Sequence, residues 1–270
     1  MASSRVWHIS GANTGLGLEL ALKALGEGDR VIAAVRTPSK VPESLQRPDV
    51  KALRFDLAWT QEEMNDYAKT AVAAFGQIDV LVNNAGFAYM GAIEESEDAE
   101  VKAQFDINVF AMLRIIRATL PHFRSRKSGI IMNLSSVGGF LGFPSNGIYC
   151  ATKFAIEGIT ESLAAEVAPF GIHCVIVEPG YFRTAFLANP ASGGNVAPAL
   201  AAYEGTPAHE ARKAFETING KQPGDPVAGA ARMWEYVAGE GLLSGIIVAG
   251  FGCGVERGVN IDRGIADTFQ

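Results

Sequence analysis

The sequence predicts an α/β protein built on a doubly wound parallel sheet, with helices covering both faces. Three observations carry this. Apolar or β-branched runs alternate with helical stretches through the first two thirds of the chain. Those runs are almost continuously apolar, as expected of parallel strands buried on both sides. The first run ends in a glycine cluster that opens a helix.

In chain order, strands are expected at Val6–Ser10, Arg30–Val35, Val50–Phe55, Val80–Val82, Ile130–Leu134 and His173–Val177. Helices are expected at Leu16–Leu25, Thr60–Phe75, Ala99–Phe123 and Ile148–Pro169. Short links between alternating β and α segments favour the doubly wound arrangement. The stretch Arg183–Thr217 breaks the alternation: Pro190–Pro198 is turn-rich, and a polar helical segment follows around Pro207–Thr217. It reads as an inserted loop and helix lying over a site. A last helix, Asp225–Val237, and a strand, Ile246–Val248, would close the sheet, leaving a glycine-rich tail from Gly250. No repeat or linker interrupts the pattern, so residues 1–270 are read as one domain.

Composition narrows the function. At 48% hydrophobic and 19% charged residues, the chain can bury a sizeable core. A net charge of −6 argues against nucleic acid or an anionic membrane as partner, because both demand clustered Lys and Arg. Cys150, Cys174 and Cys253 have no metal-ligand spacing, and an odd count suits a reducing compartment. The opening residues lack a signal-peptide pattern, and no apolar run approaches the roughly 18 residues of a membrane helix. A soluble, cytoplasmic protein without a metal is expected.

The glycine cluster is Gly11-Ala12-Asn13-Thr14-Gly15-Leu16-Gly17. Glycines belong here because the chain must turn tightly and let a pyrophosphate approach its backbone, and the last one permits close helix–strand packing. The anion then meets free N–H groups at a helix N-terminus. An NAD enzyme would place Asp or Glu at the end of the second strand; here Ala34-Val35 leads into Arg36, with Thr37 and Lys40 beyond. Arginine suits a 2′-phosphate through bidentate, charge-assisted hydrogen bonds, so NADP(H) is the expected cofactor.

Tyr149 and Lys153 lie four apart at the start of a predicted helix and so share a face. A free phenol, with a pKa of about 10, is a poor base at neutral pH. A nearby ammonium favours the phenolate and lowers that value. Tyr-x-x-x-Lys alone is a common accident. It gains meaning from its company: Asn133-Leu-Ser-Ser136 and Val137-Gly-Gly139 before it, Asn83-Asn-Ala-Gly86 after an earlier strand, Asn108 inside the long helix, and Pro179-Gly-Tyr-Phe-Arg-Thr184 after the sixth strand.

With these motifs in order over roughly residues 5–185, the chain strongly resembles the short-chain dehydrogenase/reductase family, which has a Rossmann-type fold. The one departure is Ser10, where threonine is usual, and it keeps the hydroxyl. The resemblance implies that Ser136 orients the substrate oxygen and that Tyr149 exchanges a proton with it. Lys153 would hold the nicotinamide ribose and depress the Tyr149 pKa, while Asn108 opens its helix and holds a relay water. It assigns the loop Gly11, Asn13, Thr14, Gly15, Leu16 and Gly17 to the cofactor, with Arg36. Asp56 and Leu57 would contact the adenine, and Asn83, Ala85 and Gly86 the adenosine side. Pro179, Gly180, Phe182 and Thr184 would hold the carboxamide. The segment Asn83–Glu94 resembles the hydroxysteroid and retinol dehydrogenase branch, which implies a hydrophobic carbonyl or alcohol substrate.

Phe87, Tyr89, Met90, Phe140, Phe143, Tyr181, Phe182 and Phe186 follow strand-end motifs and could line an apolar pocket. His8, His122, His173 and His209 lack ligand spacing and read as core or surface residues. Cys150 reads as packing. In the family, the two long helices form dimer and tetramer interfaces, so a homo-oligomer is expected. Two rival functions stay open: a non-redox epimerase or dehydratase on the same scaffold, and an NADP(H)-sensing regulatory protein.

Overall fold

The computed structural model describes residues 4–187, 196–238 and 247–251. Seven parallel strands form one sheet: β1 Val6–Ser10, β2 Arg30–Val35, β3 Val50–Arg54, β4 Val80–Asn83, β5 Gly129–Leu134, β6 Ile172–Pro179 and β7 Ile247–Phe251. Their order is β3-β2-β1-β4-β5-β6-β7. The chain winds outward from β1 in one direction, then from β4 in the other. The strand ends therefore diverge between β1 and β4 and leave a crevice there.

The helices are α1 Gly15–Gly26, α2 Gln61–Phe75, α3 Asp98–Phe105, α4 Ala111–Arg126, α5 Gly147–Val167, α6 Pro207–Ile218 and α7 Pro226–Ala238; α1 and α7 cover one face of the sheet and α2, α4 and α5 the other. Alternate residues of each strand supply the two cores. In β2, Ile32 and Ala34 face the side covered by α2, α4 and α5, while Val31, Ala33 and Val35 pack with Leu20, Ala24 and Met233 of α1 and α7. This two-sided burial explains the continuously apolar strands. Local signals set the boundaries. Thr60 and Glu63 form a reciprocal capping box before α2, and Gly76, at φ +83°, ends it in the left-handed region.

Two expectations need adjustment. The helix expected over Ala99–Phe123 is α3 and α4 joined by a π-helical turn, Asp106–Phe110, that contains Asn108. The last strand runs Ile247–Phe251, with Ile246 outside the described residues. Also outside them are residues 188–195 of the expected insertion, Cys253 and the tail beyond Phe251. No helix among the described residues is long and apolar enough to cross a membrane.

Candidate active site

A cleft of about 990 Å³ opens at the carboxyl ends of the strands. The glycine loop forms one wall. Gly11 (φ +67°) and Gly15 (φ +55°) take left-handed conformations that a side chain would strain. A Cβ on Gly17 would lie 2.5 Å from Asn84 Nδ2 and 2.6 Å from the Gly11 carbonyl oxygen. Gly17 therefore permits the close packing expected of it but does not itself line the cleft, whereas Gly11, Asn13, Thr14, Gly15 and Leu16 do. The first turn of α1 has no acidic residue, and its N-terminal N–H groups face the cleft without a side-chain cap. Ser10 fixes this wall to the next. Its hydroxyl donates to the Val82 carbonyl (3.2 Å) and accepts from the Asn84 and Ala85 N–H groups (3.0 Å each). These bonds need only a hydroxyl, so serine serves where threonine is usual.

Along the β2 and β3 ends the lining is Arg36, Thr37, Lys40, Asp56 and Leu57. Ala85 and Gly86 line the next stretch, together with Asn84. Asn83 does not: its amide donates to Asn133 Oδ1 (2.8 Å), and Asn133 in turn donates to Thr160 Oγ1 (2.9 Å), a ladder that ties β4, β5 and α5 together. Of the two adjacent asparagines, it is Asn84 that faces the cleft, and the alternation of side chains along a strand is the signal that distinguishes them.

Ser136, Tyr149 and Lys153 meet at the middle of the cleft. Ser136 caps the short turn Val137–Gly139 by accepting from the Gly138 N–H (3.1 Å) and hydrogen-bonds Tyr149. Lys153 is buried; its Nζ donates to the Leu134 carbonyl (2.7 Å) and lies 5.5 Å from the centre of the Tyr149 ring. Burial lowers the Lys153 pKa to about 8, partly countered by the Glu157 carboxyl one turn along α5.

The expected depression of the Tyr149 pKa is not found. Burial pushes the phenol above its ordinary value, and the Ser136 hydrogen bond only partly offsets this. The Lys153 ammonium is directed at a carbonyl rather than at the phenol oxygen, so it does not compensate for the lost solvation. Tyr149 is held as a protonated acid.

Asn108 lies outside the cleft lining, beneath it. Its amide donates to the Phe87 carbonyl (2.8 Å) and to Thr152 Oγ1 (3.1 Å), and its Oδ1 accepts from the Phe87 N–H (3.0 Å). The π turn places this side chain where it clamps the segment after β4 on both its backbone groups. Pro179, Gly180, Phe182 and Thr184 line the cleft after β6.

Of the expected pocket aromatics, Phe87, Phe143, Tyr181 and Phe186 line the cleft, with Met90; the Phe186 ring lies tilted 6.0 Å from the Tyr149 ring. Tyr89 and Phe140 are not in the lining. Tyr89 is buried in the protein.

Sequence reasoning missed what holds the far wall. Glu95, with a side chain only 3% exposed, pairs with Arg212 of α6 at 2.7 Å. Its other contacts are the Leu200 N–H (2.9 Å) and the Ala92 N–H (2.8 Å), and Arg212 also donates to the Ala197 carbonyl (2.8 Å). Desolvation works to raise the Glu95 pKa, but the two N–H donors and Arg212 outweigh it and hold the value below normal. Glu95 sits in the acidic run Glu94–Asp98 ahead of α3, of which Glu97 is the N-cap residue and Asp98 the first helical residue, and it alone of the run turns to Arg212. Phe215 of α6 and Gln222 complete this wall.

Fold and site together define a doubly wound protein whose strand-end cleft holds a hydroxyl, a phenol and an ammonium. The chain belongs to the short-chain dehydrogenase family, whose model matches residues 5–193. It is 33% identical over 232 residues to the uncharacterized oxidoreductase YusZ of Bacillus subtilis, covering 83% of this chain and 81% of that one. Human 17-beta-hydroxysteroid dehydrogenase type 1 is 35% identical over 189 residues, which span 66% of this chain and 57% of that protein. Human retinol dehydrogenase 8 is 37% identical over 191 residues, or 68% and 61%. Among solved structures, a short-chain dehydrogenase from Streptomyces avermitilis superposes with a TM-score of 0.79 at 34% identity, covering 93% of this chain and 89% of that one. ElxO with NADP bound superposes at 0.74 and 25% identity, covering 92% and 97%.

Proposed function

We propose that the protein is an NADP(H)-dependent oxidoreductase that interconverts the carbonyl and alcohol forms of a hydrophobic small molecule. The observation that carries this reading is the convergence of Ser136, Tyr149 and Lys153 on one cleft beside a glycine cradle. The residues fit a dinucleotide. Side chains are excluded at Gly11 and Gly15, α1 offers uncapped N–H groups, and the β2 end presents Arg36, Thr37 and Lys40 with no acidic residue among them. That basic end supports NADP(H) over NAD(H).

When bound, the nicotinamide supplies or accepts the hydride. The chain supplies the rest. Ser136 and Tyr149 present two hydroxyl donors to one substrate oxygen, aimed before charge develops there. In reduction the Tyr149 O–H bond breaks as its proton passes to that oxygen. Lys153 keeps a cation within reach of the resulting phenolate. The apolar walls from Phe87, Phe143 and Phe186 exclude water and suit an apolar body.

A fluorescence titration of wild type and Tyr149→Phe with NADPH and NADH, paired with a ketone-reduction assay, tests the reading. Wild type should bind NADPH tightly and NADH weakly. Tyr149→Phe should keep NADPH affinity within about threefold while losing at least about 10³-fold in kcat. Failure of wild type to bind either dinucleotide would end this proposal.

A further inference from the structure

We infer that Gln222 recognises a second polar group on the substrate, remote from the reacting carbonyl, so that the substrate is an apolar ketone or aldehyde that also carries a hydroxyl or amide. This rests on the oxidoreductase reading above. Gln222 is 1% exposed and belongs to the cleft lining. Neither Oε1 nor Nε2 of its side chain has a hydrogen-bond partner among the described residues. A buried amide with both ends unmet is costly, and native proteins keep very few of them.

The backbone holds this amide in place. Arg183 Nη1 donates to the Gln222 carbonyl (2.8 Å), the Gly224 N–H donates to the Tyr181 carbonyl (2.9 Å), and the Arg183 N–H donates to the Gly224 carbonyl (2.9 Å). Gly224 fits so closely that a Cβ there would lie 2.7 Å from the Tyr181 oxygen. The segment is thus zipped to the extension of β6 and cannot swing its amide out to solvent cheaply. The same wall carries Tyr181 and Phe215, whose rings sit 6.4 Å apart. Arg36 and Asp56 follow β2 and β3, at the other side of the sheet order, so Gln222 belongs with the segment after α6 and not with that end.

The chemistry of the amide selects the partner. Gln222 offers one acceptor and two donor hydrogens and carries no charge. A hydroxyl or an amide can satisfy both ends. A carboxylate would satisfy only Nε2 and would be repelled by Oε1, and a purely apolar substrate would satisfy neither.

The test uses the full chain, NADPH, and methyl ketones from hexanone to dodecanone, each with and without a terminal hydroxyl. For wild type, the hydroxyl should raise kcat/KM by roughly 10- to 100-fold at one or two chain lengths and not at the others. Gln222→Met, of similar length and apolar, should reduce that preference to within about threefold while retaining turnover of the plain ketones. Without NADPH or ketone, the Gln222→Met protein should melt about 2–4 °C higher, because an unmet amide has been removed.

The inference is overturned if no chain length shows the preference, if the preference survives in Gln222→Met, or if that variant melts lower than wild type. It is equally overturned if Gln222→Met loses NADPH affinity while keeping ketone discrimination, since the amide would then serve the cofactor. Should wild type bind NADPH and reduce none of the ketones, the oxidoreductase reading fails instead. The melting shift then decides for Gln222: a rise upholds an amide awaiting a ligand, and a fall removes it.

Discussion

The two ends of the cleft are made in different ways. At the β1–β2 end the wall is backbone: a loop of glycines, the uncapped start of α1, and the Ser10 hydroxyl gathering the N–H groups of Asn84 and Ala85. At the lid end the wall is side chains from segments far apart in the chain, fastened by Glu95 and Arg212 across 117 positions. A backbone wall recognises what every ligand of its class shares, on the proposed reading a phosphate chain, and tolerates almost no substitution. A side-chain wall recognises what is particular, and can be changed one residue at a time without disturbing the other end.

The sharpest way to break this contrast is at Gly17. An alanine Cβ would meet both Asn84 Nδ2 and the Gly11 carbonyl well inside contact distance, and one of these is backbone that cannot move away. Gly17→Ala should lower NADPH affinity at least about 100-fold and destabilise the fold by about 1–3 kcal/mol. A titration showing unchanged affinity would mean that the cradle is softer than its geometry implies.

Arg36 is the exception at this end, a side chain that on the proposed reading selects within the ligand class. Arg36→Asp removes the charge that suits a 2′-phosphate and adds one that repels it. The NADPH-to-NADH ratio of kcat/KM values should fall by about 100-fold, measured with any ketone that is turned over. An unchanged ratio would remove the phosphate assignment.

A smaller and more selective effect is expected at the lid. Arg212→Ala leaves the Glu95 carboxylate buried with only its two N–H partners. Stranding a buried charge costs up to roughly 3–5 kcal/mol, and less here, since the Arg212 side chain is 17% exposed. The expected result is a KM for ketone about tenfold higher, faster proteolysis within residues 196–218, and NADPH affinity within twofold of wild type, with Arg212→Lys recovering part of the loss. Because the folded Glu95 pKa is depressed, its contribution is complete above the ordinary carboxylate range and is lost as pH falls through the folded value. Wild-type lid cleavage should therefore rise only in acid. Loss of NADPH affinity in Arg212→Ala would show that the two ends are coupled.

The same contrast governs what could be read from the chain alone. The strands, the sheet class and the glycine cradle were legible because each leaves a local signature: an apolar run, a breaker, a glycine where no side chain fits. Ser136, Tyr149 and Lys153 were legible because their spacing survives in one helix and the strand before it. The Glu95–Arg212 pair was not, because a surface-like acidic run and a polar helix become a buried ion pair only after α6 packs against the segment that follows β4. Asn108 was found as a residue but not as a clamp on Phe87, which depends on a π turn that no periodicity announces. The direction of the Tyr149 shift went wrong for a related reason: helical spacing puts Lys153 beside the phenol but says nothing of the Leu134 carbonyl that turns the ammonium aside.

That misdirected ammonium yields the smallest expected effect, on a residue lining neither end of the cleft. Lys153 is held near pKa 8 by burial, so its charge, and with it the reductive kcat/KM of the free enzyme, should fall above about pH 8. Glu157, one turn further along α5, opposes this. Its carboxyl raises the Lys153 value, while burial, the Ser135 contact, Glu178, Glu161 and Lys153 together set its own pKa at about 7. Replacing it with glutamine removes that support, so the basic limb of the pH profile should move to lower pH. Activity at pH 7 should then drop by about two- to fivefold, with NADPH affinity little changed. A limb that stays put in Glu157→Gln would assign it to a group other than Lys153. A limb that moves upward would mean that the carboxyl is neutral in the working enzyme and acts through its hydrogen bond rather than through its charge.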